Sequence, residues 1–318
     1  MQKCLTTVFD CDIIMLVIKL KEKKMKKLIT LLVSIILIFS TVLGLTSCGE
    51  TAKVKIKLID VKLTDESYAI AIGKDKTQLK NDVNAALKEI DIDAIVEKYQ
   101  NMDAVTDGYV IPNSAEGIEN PLIVATNAEF APFEYKIGIQ YFGIDIEIAV
   151  QLAEKLGKTL VLVNMNFDAI ITSVAGVNMD EGVSNDGYDA YTYCDLGIAG
   201  LSVTEDRLES VDFTDTYFKS AQVLVVKEDD TTFDGLTTAS EIEEKLASLT
   251  GKKVGSQSGT TGEYYVKGSG AWLNGFENLT FKGYTSHSLA VQDMINGNID
   301  YVVSDYETAK AVVKNFNG

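Results

Sequence analysis

From Leu122 to the C-terminus the sequence alternates short apolar runs with segments of helical period, and this alternation restricts the fold more than any other feature. Leu122 to Ala125, Thr159 to Val163 and Leu196 to Ala199 read as strands. Between the first two, Ile144, Ile148, Leu152 and Leu156 recur at fourfold spacing and are closed by Gly157, which reads as a helix. A second helix is expected from Phe167. Gln222 to Val226, Lys253 to Gly255, a helix near Tyr264, a helix from Leu289 and the strand Tyr301 to Ser304 repeat the theme. Such units build parallel sheets covered by helices, so the fold class expected is α/β. In a chain of 318 residues with 46% hydrophobic residues, the repetition gives two lobes, each with its own core.

The segment ahead of Leu122 has the same character. Lys53 to Leu58 alternates strictly, with Val54, Ile56 and Leu58 on one face and three lysines on the other, as a half-buried strand does. Tyr68 to Ile72 reads as a second, continuously apolar strand. Leu79, Val83 and Leu87 mark an amphipathic helix, and Ile92 to Tyr99 another. Residues 101–120 are rich in Asn, Asp, Gly and Ser, contain Pro112 and abut Pro121, so they read as a linker.

Near the start, Met25-Lys26-Lys27, a largely apolar run from Leu28 to Phe39, and Leu45-Thr46-Ser47-Cys48 follow one another. This stretch resembles a bacterial lipoprotein signal over 25–47, which implies cleavage before Cys48 and lipid attachment to its sulfur. The protein is then expected on the outer face of the cytoplasmic membrane. Residues 1–24 fit no such pattern, and Met25 is read as the translation start. Of four cysteines, Cys4 and Cys11 lie in that leader and Cys48 carries the lipid, leaving Cys194, so no disulfide framework or cysteine metal site can form. One histidine, His287, makes a histidine metal centre or a Ser-His-Asp triad untenable. No cofactor or metal is expected. A net charge of −17 argues against nucleic acid as a partner and suits a soluble monomer.

Three groups near strand ends can recognise a small charged molecule. Arg207 follows the strand Leu196 to Ala199 within Ser202-Val203-Thr204-Glu205-Asp206-Arg207, and its planar guanidinium suits a carboxylate. Gly259-Thr260-Thr261-Gly262-Glu263 separates a strand from a helix, where backbone N–H groups and the Thr261 hydroxyl can cradle an anion. Asp305, at the end of a strand, can accept from an ammonium. Each has an ordinary counterpart: a surface ion pair for the Arg, a capped loop for the Gly-Thr-Thr, an N-cap for the Asp, and core packing for Phe130 and Phe167.

Their order changes their weight. Ala125-Thr126-Asn127-Ala128-Glu129-Phe130-Ala131-Pro132-Phe133-Glu134-Tyr135, Phe142-Gly143-Ile144-Asp145, Asn166-Phe167-Asp168-Ala169-Ile170 and Val211-Asp212-Phe213-Thr214-Asp215 occur in one row. They resemble the polar amino acid ABC-transporter substrate-binding family, the extracellular solute-binding family 3, over about 121–318 and again over 53–100. The resemblance implies a type II periplasmic-binding fold, two lobes joined by two crossover strands, that closes on a free amino acid and delivers it to an ABC importer permease with its ATPase. It implies that Phe130 and Phe167 sandwich the ligand side chain. Arg207, Ser202 and Thr261 would take the carboxylate, and the Gly200 carbonyl, Ser202 and Asp305 the ammonium. Asn127 stands where members that bind cationic side chains often carry Asp.

The chain departs from the family in the order of its parts. The crossover resembling Leu63-Thr64-Asp65-Glu66-Ser67-Tyr68 and the helices after it ordinarily come last, whereas here they come first. The expectation is a circular permutation, with residues 101–120 joining the ancestral termini, a contiguous lobe 1 over 73–222, and a lobe 2 assembled from 53–68 and 227–318. An acidic, Gly/Asn-rich insertion, 176–189, is read as a solvated loop, with a calcium loop as the weaker alternative. Two other functions are weighed: an amino-acid sensor, and a dehydratase-like enzyme on the same fold. No residue is assigned to catalysis.

Overall fold

In a computed structural model, residues 54–176, 193–269 and 273–318 are described. Cys48, the signal region and most of the insertion at 176–189 lie outside them. Val54–Gly318 forms one compact unit.

The chain enters as β1 (Ile56–Ile59), β2 (Glu66–Tyr68) and β3 (Ala71–Ile72), followed by helices α1 (Thr77–Leu87) and α2 (Ile92–Gln100). After a loop come β4 (Pro121–Thr126), the small strands β5 (Glu129–Phe130), β6 (Glu134–Ile137) and β7 (Gln140–Phe142), α3 (Ile144–Lys155) and β8 (Thr159–Asn164). A single 3-10 turn, Phe167–Ala169, leads into α4 (Ile170–Ala175). Then follow β9 (Leu196–Gly197), α5 (Glu205–Leu208), β10 (Asp212–Phe213), β11 (Phe218–Ser220), β12 (Gln222–Lys227) and α6 (Ala239–Ser248). The last third is β13 (Lys253–Gln257), α7 (Thr261–Lys267), β14 (Thr280–Tyr284), α8 (His287–Ile295), β15 (Tyr301–Asp305) and α9 (Tyr306–Asn317).

Two five-stranded sheets carry the architecture. Sheet I has the order β1-β12-β15-β13-β14 and sheet II the order β10-β3-β9-β4-β8. The expected parallel pairing holds for β13 with β14 and β15, and for β4 with β8 and β9. The sheets are nonetheless mixed, because β1 and β12 in sheet I and β3 and β10 in sheet II pair antiparallel. These four strands flank the two passages of the chain between sheets, and there β2 and β11 pair with each other as a two-stranded antiparallel ribbon. The run Tyr68 to Ile72 is therefore two strands in two sheets, since one continuous ladder cannot serve both.

Both faces of each sheet are covered, which is why the strands read as continuous apolar runs. Val223 and Val225 face a core with Ala290, Val291 and Val312, whereas Leu224 and Val226 face one with Ile242, Tyr265 and Tyr301. In sheet II, Leu122, Val124 and Leu162 pack with Ile144 and Ile148, and Ala125 and Val163 with Phe167 and Ile170. At the front, Val54 is 40% exposed and pairing starts at Ile56. Asn317 holds that end: its side chain accepts from the Ile56 N–H at 3.0 Å and donates to the Ile56 carbonyl at 2.8 Å.

Candidate functional site

The ends of β9, β13 and β15 meet the turn between β5 and β6 and the ribbon strand β2. At Gly200 the backbone turns with φ of 53°, a conformation glycine adopts without strain. A Cβ there would lie 2.6 Å from the Phe130 ring, so glycine also allows that ring to lie against the backbone. The Gly200 N–H donates to Asp145 Oδ2 at 2.7 Å, and the Tyr217 hydroxyl donates to the same carboxyl at 2.9 Å. Burial pushes Asp145 up to about 6, the Gly200 and Tyr217 donors opposing the rise. Burial first, and the charge of Asp145 second, hold Glu134 well above the usual carboxylate range.

Seven residues singled out from sequence line one cavity: Phe130, Phe167, Gly200, Ser202, Arg207, Thr261 and Asp305, with Thr260 as an eighth. Its volume is about 10 Å³, the room of roughly one water. Asn127 does not line it. Asn127 lies beyond Phe130, where its Oδ1 accepts from Gln257 Nε2 at 2.8 Å and its own amide donates to the Met165 carbonyl at 2.8 Å. A larger hollow of about 640 Å³ opens near α2 and α9, lined by Leu58, Val96, Met102, Phe218 and Lys310 among others, away from these convergent polar groups.

Arg207 is buried, with Nη1 donating to the Ser202 carbonyl at 2.7 Å and Nη2 to the Gly259 carbonyl at 3.0 Å. Its guanidinium lies 5.4 Å from the Phe167 ring centre, at cation–π range. Burial lowers its pKa, opposed by Tyr264, Glu66 and Asp305. Asp305, the last residue of β15, stands at the N-cap of α9 yet makes no side-chain cap; its Oδ1 instead accepts from the Tyr68 hydroxyl at 2.5 Å. Burial, then repulsion from Glu66, pushes Asp305 up to about 7.

Glu66 and Tyr68 did not emerge as site residues from the sequence. Two residues apart on β2, they point to one face, and both are buried there. Glu66 Oε1 accepts from the Thr64 hydroxyl at 2.6 Å, and Oε2 accepts from Ser202 Oγ at 2.5 Å and Thr261 Oγ1 at 2.8 Å. The Thr261 hydroxyl, expected to cradle an outside anion, thus gives its proton to a carboxylate of the chain itself. A buried acid two residues before a buried tyrosine, on a strand between two sheets, is the signal that could have found the pair. Gln257 was also missed, since nothing in Gly255-Ser256-Gln257 shows that it reaches across to Asn127.

One buried cation, the buried acids Glu66 and Asp305 and two aromatic faces gather where the two sheets meet, with the carboxamide pair outside the cavity lining. The profile of the family described as "Bacterial extracellular solute-binding proteins, family 3" matches residues 122–185 and 192–318. The chain belongs to this family. Its fold is accordingly mixed α/β and periplasmic-binding-protein-like. The chain is similar to the "Arginine-binding extracellular protein ArtP" of Bacillus subtilis, 30% identical over 151 residues, 48% of this chain and 49% of that protein. A "Probable histidine-binding protein" of Campylobacter jejuni is 28% identical over 189 residues, 59% of this chain and 61% of that one. The chain thus spans about half to three fifths of the length of the curated relatives it matches. A crystal structure of a mutant ArgBP from T. maritima superposes with a TM-score of 0.49 at 29% identity, covering 62% of this chain and 72% of that one. Among the described residues no cluster of His, Cys, Asp or Glu fit to hold a metal occurs, and no helix is long and apolar enough to cross a membrane.

Proposed function

We propose that this solute-binding protein is the extracytoplasmic substrate-binding subunit of an amino-acid ABC importer. The observation that carries the reading is the convergence of Arg207, Asp305, Ser202 and the aromatic pair Phe130 and Phe167 on one cavity between two sheets. A buried zwitterion needs both charges paired, since each buried unpaired charge costs several kcal/mol. Arg207 serves the carboxylate; Asp305 and the Gly200 carbonyl serve the ammonium. The relatives named for arginine and histidine binding agree with an amino-acid ligand. Asn127, however, which stands where family members that bind cationic side chains often carry Asp, is a neutral carboxamide paired with Gln257 outside the cavity lining. That favours a neutral, polar or modestly apolar side chain.

The two sheets act as lobes, and the ribbon of β2 and β11 as the hinge between them. A cavity of about 10 Å³ is far smaller than any amino acid, so capture requires the lobes to part and close again. Ligand contacts to both lobes stabilise the closed form, the form offered to the permease. The permuted order is supported by the family match, which begins at residue 122, while β1 to β3 ahead of it supply a strand to sheet I, one to the ribbon and one to sheet II. The lobe boundaries at 53–68 with 227–318 and at 73–222 belong to the same reading, as do monomeric state and the lipid anchor at Cys48. Isothermal titration with the twenty amino acids tests the function: saturable binding of one or a few supports it, and binding of none removes it.

A further inference from the structure

We infer that Glu66 is a positioning residue that sets which charge of a ligand the Ser202 and Thr261 hydroxyls can meet; this rests on the amino-acid-binding reading above. A hydroxyl has one proton and two lone pairs. Ser202 Oγ and Thr261 Oγ1 come from elements flanking sheet II and sheet I respectively, yet both spend their proton on the same oxygen, Glu66 Oε2, at 2.5 and 2.8 Å. The acid is itself fixed: Thr64 donates to Oε1 at 2.6 Å, and the Gln222 N–H donates to the Thr64 hydroxyl at 2.8 Å, tying it to the start of β12. Gln222 Nε2 occupies one further lone pair of Thr261 at 3.0 Å.

With their protons committed, Ser202 and Thr261 have only lone pairs left to offer a ligand. Ionised Asp305 and the Gly200 carbonyl are acceptors as well. That wall of the cleft is therefore acceptor-only, matched to the three N–H donors of an ammonium, less well served by the single donor of a hydroxyl and mismatched to a second carboxylate, and the ligand carboxylate falls to Arg207. Glu66 acts through the two hydroxyls without touching the ligand, and its charge also repels that of Asp305.

The test is Glu66→Gln, read as a ratio of affinities. The probes are L-glutamine, L-histidine and L-arginine, each against its L-2-hydroxy acid, by titration calorimetry at pH 7.5. In the variant a carboxamide nitrogen can donate to Ser202 Oγ, which frees the serine proton to donate to the hydroxy acid. The preference for the amino acid over its hydroxy analogue should narrow at least about tenfold, the scale of a hydrogen bond to a charged group. A ratio equal to that of the unaltered protein, or equal loss of both affinities, overturns the inference. If the variant does not melt cooperatively, Thr64→Val, which removes the donor that fixes Glu66 Oε1, takes its place: a narrowed ratio supports the inference and an unchanged one overturns it. If the unaltered protein binds none of the three amino acids nor any other, the functional reading itself falls, and the inference with it.

Discussion

Burial beside Glu66 pushes Asp305 up to about 7, so at pH 6 the free protein holds a proton there that an incoming ammonium must expel. The free protein binds more protons than the complex below that pKa, so amino-acid affinity should rise with pH from about 5 to 8 and level off above. Calorimetry at pH 6 in buffers of differing ionisation enthalpy should register release of about one proton per ligand. Affinity that falls as pH rises would contradict this, and Asp305→Asn should remove most of the dependence. Arg207→Ala leaves a ligand carboxylate buried without its partner and should weaken binding by about 2–5 kcal/mol. Gly200→Ala meets both the Phe130 ring and a left-handed φ, so it should lower the melting temperature through a loss of about 1–3 kcal/mol, measured by chemical denaturation. At this scale the sequence was legible for residues within ordered motifs that gather at one cavity, as with Arg207, Phe130 and Asp305. It was not legible where function depends on a partner across the cleft. Glu66, Tyr68 and Gln257 gain meaning only from Ser202, Asp305 and Asn127, which lie far from them in sequence.

Among the elements, β1 has the most exposed consequence. It pairs with β12 over four residues, buries Ile56 fully, and is held from the C-terminus by Asn317. Deleting residues 54–68 should therefore unfold sheet I, not trim a tail; loss of cooperative melting and of ligand binding is expected, and a variant with unchanged affinity would contradict the permuted assembly. The long helices were readable because apolar residues at fourfold spacing face one shared core: α1, α2 and α3 begin within two residues of their expected starts. The short elements were not. β9 stops at Gly197, two residues early, because the chain must turn at Gly200 to present Ser202, and the helix expected from Phe167 opens as a 3-10 turn. An apolar run also gives no sign of changing sheets, which is why Tyr68 to Ile72 read as one strand.

For the molecule as a whole, the repeated strand–helix pattern gave two sheets with helices on both faces, while the antiparallel strands at the crossings depended on topology that periodicity does not encode. Among the described residues, the hydrogen bonds that join the two sides include Asn127 with Gln257, Arg207 with the Gly259 carbonyl, Asp206 with Ser269 and Lys314 with Asp103. In the proposed opening of the lobes each must break, so a ligand would stabilise the closed form only by what it adds beyond them. The most direct test of the central claim is a thermal-shift screen of the protein against the twenty amino acids. A ligand at 100 times its Kd adds about 2.7 kcal/mol, a rise of roughly 4–5 °C for a chain of this size. The account predicts such a rise for one or a few amino acids, a neutral polar one among them, and none with Arg207→Ala at the same concentration. A cooperatively melting protein indifferent to all twenty would contradict it.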